Sequence, residues 1–107
     1  MQAFELNDLI QTHAELGKLY YEFIREETMS LGLYILPAGG VDPQQPHNED
    51  EVYYVINGRA SITVGDETQA IQPGSTIFVG KHIPHKFHDI SEDLTLLVFF
   101  APPEGSQ

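Results

Sequence analysis

Short apolar runs separated by chain breakers extend over most of this sequence and set the strongest limit on its fold. From Tyr20 onward, eight runs rich in β-branched and aromatic residues alternate with Pro, Gly, Asn, Asp or Ser. The runs are YYEFI, MSLGLYIL, EVYYVI, RASITV, TQAI, STIFVG, KFHDI and LTLLVFF. Short strands at regular spacing, joined by short loops, are typical of an antiparallel barrel or jelly roll. The sequence therefore predicts an all-β fold.

The breakers predict where the chain turns. Asn57-Gly58 is the clearest signal, because both residues tolerate the positive φ of a tight hairpin turn. Gly65-Asp66 and Pro73-Gly74 mark two further turns. The aromatic residues within the runs are expected to fill the core, and we name Tyr53, Phe78 and Phe87 as its members.

One short helix is predicted before the strands. Apolar residues recur at helical spacing between Asn7 and Gly17, and Gly17 is a typical residue for ending a helix. We expect this helix to be peripheral and His13 to be exposed on it. With 107 residues, the chain has room for a single core. We therefore expect one domain over residues 1–107, with a peripheral helical segment at 1–18, a barrel core at about 31–100 and a flexible tail at 102–107.

Charge and composition exclude several classes of function. The formal net charge is -11, so the average field repels nucleic acid and anionic membrane surfaces. Cysteine is absent, which leaves histidine, carboxylate and carbonyl groups as the metal ligands. No apolar run reaches the ~18 residues of a membrane-spanning helix, and the first residues carry no targeting pattern. We expect a cytoplasmic protein that binds neither nucleic acid nor membrane.

A histidine among carboxylates precedes the third apolar run, in the stretch QPHNEDEVYYVING. Alternate residues of a strand share a face. The residues of one parity here are Gln45, His47, Glu49, Glu51, Tyr53 and Val55. If this face points into the barrel, an unpaired charge on it costs several kcal/mol or more, so a partner must neutralise it.

The candidate partner lies in the stretch HIPHKFH, where His85 and Phe87 share a face. His47, Glu51 and His85 then combine two imidazoles with one carboxylate, a set that suits Fe, Mn, Ni, Co or Zn and leaves positions open for a ligand. Parity alone does not choose between Glu49 and Glu51. We interpret Glu49 as a solvated loop acid.

Two spaced motifs resemble those of the cupin superfamily over residues from about Leu31 to Phe100. The first cupin motif is glycine, five residues, His-x-His, three or four residues, Glu, six residues and glycine. The matching residues are Gly39, Gln45, His47, Glu51 and Gly58. The second motif is matched in spacing by Gly74, Gly80, His82, His85 and Asp89. The motif's gap to Gly58 favours Glu51 over Glu49.

The resemblance implies a small single-domain cupin, a double-stranded β-helix with a divalent metal at the mouth of its barrel. It implies that His47, Glu51 and His85 are ligands. Gln45 stands where the motif has its first histidine, so the resemblance makes it the fourth candidate ligand. An amide oxygen is a weaker donor than an imidazole.

The resemblance also implies a homodimer. The run from Leu19 to Ile24 is a candidate to pair across a two-fold axis or to cover a sheet edge. His82 and His88 have the opposite parity to His85 and are expected at a polar surface or in a dimer contact. Arg25 and Arg59 are expected in surface ion pairs.

Three functions fit these residues. The first is an enzyme that uses its metal on a small organic molecule in dioxygenase, isomerase or lyase-type chemistry, with Tyr53 and His82 as catalytic candidates. The second is a binding module that holds a small ligand, with or without metal, and does not turn it over. The third is a structural protein with a vestigial site, for which Gln45 is the best argument. A shared fold does not choose among them.

Overall fold

The computed structural model describes residues 1–106, in which one helix precedes six strands. Their bounds are α1 (Leu6–Leu16), β1 (Tyr20–Arg25), β2 (Ser30–Leu36), β3 (Asp50–Val64), β4 (Glu67–Ile71), β5 (Thr76–Val79) and β6 (His85–Ala101). All pairings are antiparallel, in the order β1-β2-β6-β3-β4, and β5 pairs with β3. This arrangement confirms the predicted all-β jelly roll.

Two long strands replace four of the eight predicted short ones. The runs around Asn57-Gly58 form one continuous strand, β3, and those on either side of Ser91–Asp93 form another, β6. These strands pair with each other along both of their halves. The first half of β3 also pairs with β5 and the second half with β4, so β3 and β6 connect the two ends of the sheet.

The predicted hairpin at Asn57-Gly58 is wrong. The register between β3 and β6 shifts three times between Val55 and Ser61, which marks an irregular, bulged bend. Gly58 has φ 99°, and a Cβ at this position would lie 2.3 Å from the carbonyl oxygen of Asp93. The positive φ therefore serves a close approach between two paired strands, whereas Gly65-Asp66 and Pro73-Gly74 form turns as predicted.

Inward-facing residues of the strands form one core. Tyr53 and Phe87 are 1% and 2% exposed and their rings meet edge to face, as predicted for core aromatics. Phe78 is 64% exposed, so its assignment to the core is wrong. The inward positions of the short strand β5 are Ile77 and Val79, which puts Phe78 on the outer face.

The helix lies against the edge of the sheet formed by β1 and β2. It ends at Gly17, whose φ is 67°, in agreement with the predicted stop. His13 is buried, contrary to the expectation of exposure, because its Nε2 lies 2.6 Å from the carbonyl oxygen of Leu19. Within residues 1–106, no helix is long and apolar enough to cross a membrane. β1 is an edge strand, and its pairing across a dimer axis stays a prediction.

Candidate metal centre

Three segments bring the predicted ligands together. Glu51 lies on the inward face of β3, His85 begins β6 on its inward face, and His47 belongs to the loop between β2 and β3. Each offers one ligand atom, and these atoms lie within 4.8 Å of one another. The structure thus assembles two imidazoles and one carboxylate at one end of the barrel.

A hydrogen bond on the side of the His85 ring away from the cluster determines the tautomer of the neutral ring. Nδ1 lies 2.9 Å from the carbonyl oxygen of Ile83, which can only accept, so Nδ1 carries the proton. In the neutral ring, Nε2 then has a bare lone pair. It points at two acceptors, Oε1 of Glu51 at 2.8 Å and Oε1 of Gln44 at 3.1 Å. Only a cation or an added proton between these atoms makes the arrangement favourable.

Glu51 has the same need for a cation. Its side chain is 1% exposed, and among the described residues neither carboxylate oxygen is matched to a hydrogen-bond donor of normal geometry. A buried, unpaired carboxylate costs several kcal/mol. Nε2 of His47, at 3.9 Å from Oε1, completes the group. The buried donor set therefore fits a divalent metal.

Gln44 contributes a further oxygen to the cluster. Its Oε1 lies 3.3 Å from Nε2 of His47 and accepts a hydrogen bond of 2.8 Å from the Tyr53 hydroxyl. Its Nε2 donates to Oδ2 of Asp42, so the amide oxygen faces the imidazoles. Asp42 is 1% exposed and also accepts hydrogen bonds from the Phe87 amide and the Tyr34 hydroxyl. This buried carboxylate holds the Gln44 amide in place.

Gln45, the predicted fourth candidate, is exposed and lines the cavity wall beside the cluster. The parity argument does not apply to it, because β3 begins at Asp50 and residues 45–49 lie in a loop. Whether Gln45 binds metal stays a prediction. The interpretation of Glu49 as solvated is wrong: it is 2% exposed, and one of its carboxylate oxygens is buried without a described hydrogen-bond partner.

The other candidate side chains lie away from the cluster. His82 is exposed, and its main-chain amide donates to the carbonyl oxygen of His47, which stabilises the loop that contains His47. His88 contacts Thr63 and Asp89 on the outer face. Both arginines make the expected ion pairs: Arg25 with Glu22 and Arg59 with Glu92.

Burial determines how the ionisable groups of the site behave. It lowers the pKa of His47. It also acts to lower the pKa of His85, but the contacts with Glu51 and the Ile83 carbonyl outweigh it and raise that pKa. Burial, together with the Glu51 charge, raises the pKa of Tyr53 well above its usual value. The Tyr53 hydroxyl therefore keeps its proton and acts as a hydrogen-bond donor.

A cavity of about 340 Å³ opens beside the cluster. Glu51 and His47 lie at its polar end, and its walls are mainly apolar and aromatic side chains from β1, β2 and β6. The tail also contributes. Pro103 is buried, Glu104 lines the cavity, and the Glu104 amide donates to Oγ of Ser30.

The sequence contained no clear signal for three of these residues. Glu104 lies in a segment rich in Pro, Gly and Ser, for which we predicted flexibility. Its Oε2 lies 3.6 Å from Nδ1 of His47, and burial, with Glu22 and Glu51, raises its pKa. Asp42 and Gln44 lie outside the motif positions, and only the structure reveals their role.

The chain is similar to several proteins of known sequence or structure. The chain is 52% identical over 105 residues to the uncharacterized protein SCO3923 of Streptomyces coelicolor, covering 98% of this chain and 100% of that protein. It is 31% identical over 70 residues to H2HPP isomerase of Bacillus subtilis, covering 64% of this chain and 29% of the isomerase. The crystal structure of TT1209 from Thermus thermophilus superposes with a TM-score of 0.77 at 27% identity, covering 96% of this chain and 99% of that one.

The family comparison matches the same region as the predicted barrel core. The model of the cupin domain aligns with residues 32–100, a range that includes the loop with His47, the strand with Glu51 and the start of β6 with His85. The match confirms the resemblance noted in the sequence. The chain belongs to the cupin domain family.

Proposed function

We propose that this chain is a metal-dependent cupin that acts on a small organic molecule. One observation carries the proposal: Nε2 of His85 and the buried Glu51 carboxylate meet 2.8 Å apart, and Glu51 lies at the polar end of an otherwise apolar cavity. Holding two acceptors this close lowers the stability of the fold unless a cation, or a proton on His85, lies between them. The cation is the proposed metal, one of Fe, Mn, Ni, Co or Zn.

The chain's own residues divide the work at this site. His47, Glu51 and His85 would hold the metal, and we propose Gln44, held by Asp42, as a fourth donor in place of Gln45. A divalent metal bound here supplies Lewis-acid or oxygen-activating chemistry at its open positions. The apolar walls would displace water from the apolar part of a bound ligand, and the ionisable carboxyl of Glu104 lines the same space.

Isomerase or lyase-type chemistry is the reaction class that we favour. The Bacillus subtilis relative is named an isomerase, and it shares 31% identity with this chain over 70 residues. Such reactions move a proton on the substrate, and Glu104 is a carboxyl group with a raised pKa at the cavity wall. The substrate itself would occupy the cavity beside the metal.

A non-catalytic binding module is the second candidate. The Tyr53 hydroxyl is engaged with Gln44, and the His82 side chain is exposed, so neither of the two catalytic candidates from the sequence presents a free base to the cavity. A module of this kind would bind the same metal and ligand without turnover. Product analysis with metal-loaded protein separates it from the enzyme.

Metal content tests the proposal. The untagged protein, reconstituted separately with Fe(II), Mn(II), Ni(II), Co(II) and Zn(II) and then dialysed, is expected to retain close to one equivalent of at least one metal by elemental analysis. His47→Ala and His85→Ala should each lose most of it, because each removes one of two nitrogen donors.

Matched controls are available elsewhere in the chain. His82→Ala and His88→Ala remove imidazoles that lie outside the cluster and should retain the wild-type metal content. Circular dichroism melts of all four variants show whether each one is folded. A wild type that retains none of the five metals, or equal loss in the control variants, contradicts the proposal.

A further inference from the structure

The lining of the cavity limits what can share it with a metal. Beyond the cluster, the walls are formed mostly by apolar or aromatic side chains, among them Leu19, Tyr20, Tyr34, Val98 and Phe100. The volume of about 340 Å³ is at the lower end of the ~300–1,000 Å³ typical of small-molecule pockets. Such walls reward an apolar ligand body and offer the many hydroxyl groups of a sugar few partners, chiefly Gln45 and the Tyr20 hydroxyl, which has no described hydrogen-bond partner.

The charges around the cavity limit the ligand further. Among the described residues that line it, none is Lys or Arg, while Glu51 and Glu104 are carboxylic acids. A divalent metal with Glu51 leaves one net positive charge, which a ligand with one negative charge neutralises. A second negative charge would lie in the same cavity as Glu104 with no cationic partner, which weakens binding.

Arg25 does not provide the missing partner. Its guanidinium donates to the Glu22 carboxylate at 3.1 Å and to the main-chain oxygen of Glu104 at 3.0 Å. The net charge of -11 over the whole chain also disfavours the approach of multiply charged anions. Local and global electrostatics therefore select against the same ligands.

A second cavity, of about 470 Å³, lies on the other side of the Gln44–Pro46 loop, and its lining includes both His85 and Lys86. Lys86 is exposed and follows His85 on β6, so the two side chains point to opposite faces of the strand. The described lining of the apolar cavity contains neither His85 nor Lys86, so a ligand in that cavity faces the cluster from the His47 and Glu51 side and does not meet this ammonium group. The Lys86 side therefore offers an internal control.

We infer that the ligand of this cavity is a small molecule with an apolar body, one chelating pair of oxygens and at most one negative charge. A hydroxyketone or an enol of a diketone has this chemistry, and sugar acids and dicarboxylates do not. The inference rests on the proposed function, because the metal binds the oxygen pair. It selects one substrate class among those that the metal alone would accept.

Three ligands with the same chelating group test it. Allomaltol, kojic acid and comenic acid share one hydroxyketone pair and carry a methyl, a hydroxymethyl or a carboxylate group at the same ring carbon. Their binding to the metal-loaded protein is measured by calorimetry and by the visible spectrum of the Co(II) form, with metal retention checked after each titration. Allomaltol is expected to bind at least about tenfold more tightly than comenic acid, because only the carboxylate must be desolvated without a partner.

Two variants test which cavity determines the preference for allomaltol over comenic acid. Leu19→Lys places an ammonium group at the cavity wall, where Leu19 is partly exposed, and should reduce the preference for allomaltol by improving the binding of comenic acid. Lys86→Ala should leave the preference unchanged. Kojic acid should bind more weakly than allomaltol, because its hydroxyl group must be desolvated.

The measurements distinguish a failure of the proposed function from a failure of this inference. A chain that retains no metal fails the proposed function, and this inference fails with it. If the metal is retained but comenic acid binds as tightly as allomaltol, or if allomaltol does not bind, the inference alone is overturned. Loss of comenic acid binding in Lys86→Ala would place the ligand in the second cavity and would overturn it as well.

Discussion

Gln44 and Gln45 are neighbours in the chain but have different surroundings. The Gln44 amide is fixed by Asp42 and Tyr53 with its oxygen toward the imidazoles, whereas the Gln45 side chain is exposed. Gln45 occupies the first ligand position of the motif, so the motif predicts that it lies in the cluster. In the structure, the loop places Gln44 in the cluster instead. Substitution of Gln44 is therefore expected to weaken metal binding, and substitution of its neighbour Gln45 is not.

Metal affinity measures this difference. Gln44→Ala should raise the metal dissociation constant by about tenfold or more, the range found when a residue that supports a metal site is removed. Gln45→Ala serves as the matched control and should change the constant by less than about twofold, because surface substitutions are usually small in effect. Competition with a chromophoric chelator gives both constants. A larger effect for Gln45→Ala than for Gln44→Ala would restore the motif position as the ligand.

At the scale of single residues, motif spacing predicted the cluster better than parity did. His47, Glu51 and His85 meet as expected from the cupin motifs. Parity placed Glu49 and Glu51 together, but only Glu51 lies in a strand at the cluster, since Glu49 precedes β3. Asp42 and Glu104 were beyond prediction because their roles depend on contacts between distant parts of the chain, such as Asp42 with Phe87.

At the scale of elements, the bend shared by β3 and β6 is the feature on which the barrel depends. Both halves of β3 pair with β6, so the two strands must change direction together near Gly58. The absence of a side chain at Gly58 lets the β6 backbone approach at Asp93 and Leu94. The same glycine therefore combines an unusual φ with a close contact.

Alanine substitution separates these two requirements. Gly58 and Gly74 have φ values of 99° and 94°, but only a Cβ at Gly58 would clash, since no atom lies within 4 Å of one at Gly74. Gly74→Ala should cost about 1–3 kcal/mol from backbone strain alone. Gly58→Ala should cost about 2 kcal/mol more, from overpacking against β6. Urea unfolding of both variants measures the difference, and equal costs would contradict this account of the bend.

The elements were partly predictable from the sequence. Alternating apolar runs predicted the strands, and Gly17 predicted the end of the helix. Asn57-Gly58 was misread because a positive φ at glycine has the same sequence signature in a hairpin turn and in a bulged strand. Only the pairing partner of each half of β3 distinguishes them, and that is a long-range property.

At the scale of the whole molecule, the jelly roll places a few polar groups at one end of an apolar barrel. The all-β class and the cupin family followed from the spacing of breakers and motif residues, because both extend over most of the chain. The shape of the cavity did not follow, since it depends on residues from β1, β2, β6 and the segment at Glu104. The strongly acidic surface and the cavity without lysine or arginine in its described lining together favour a ligand of low charge.

The most direct test of the account is the position of the metal itself. A crystal of the protein loaded with Co(II) or Zn(II), measured at the absorption edge of that metal, should show one strong anomalous peak in contact with Nε2 of His47, Nε2 of His85 and the carboxylate of Glu51. Metal–nitrogen distances of about 2.0–2.1 Å are expected for zinc. A peak at another position, or no peak in a crystal grown with excess metal, would contradict the claim that this chain is built to hold a metal at the end of its barrel.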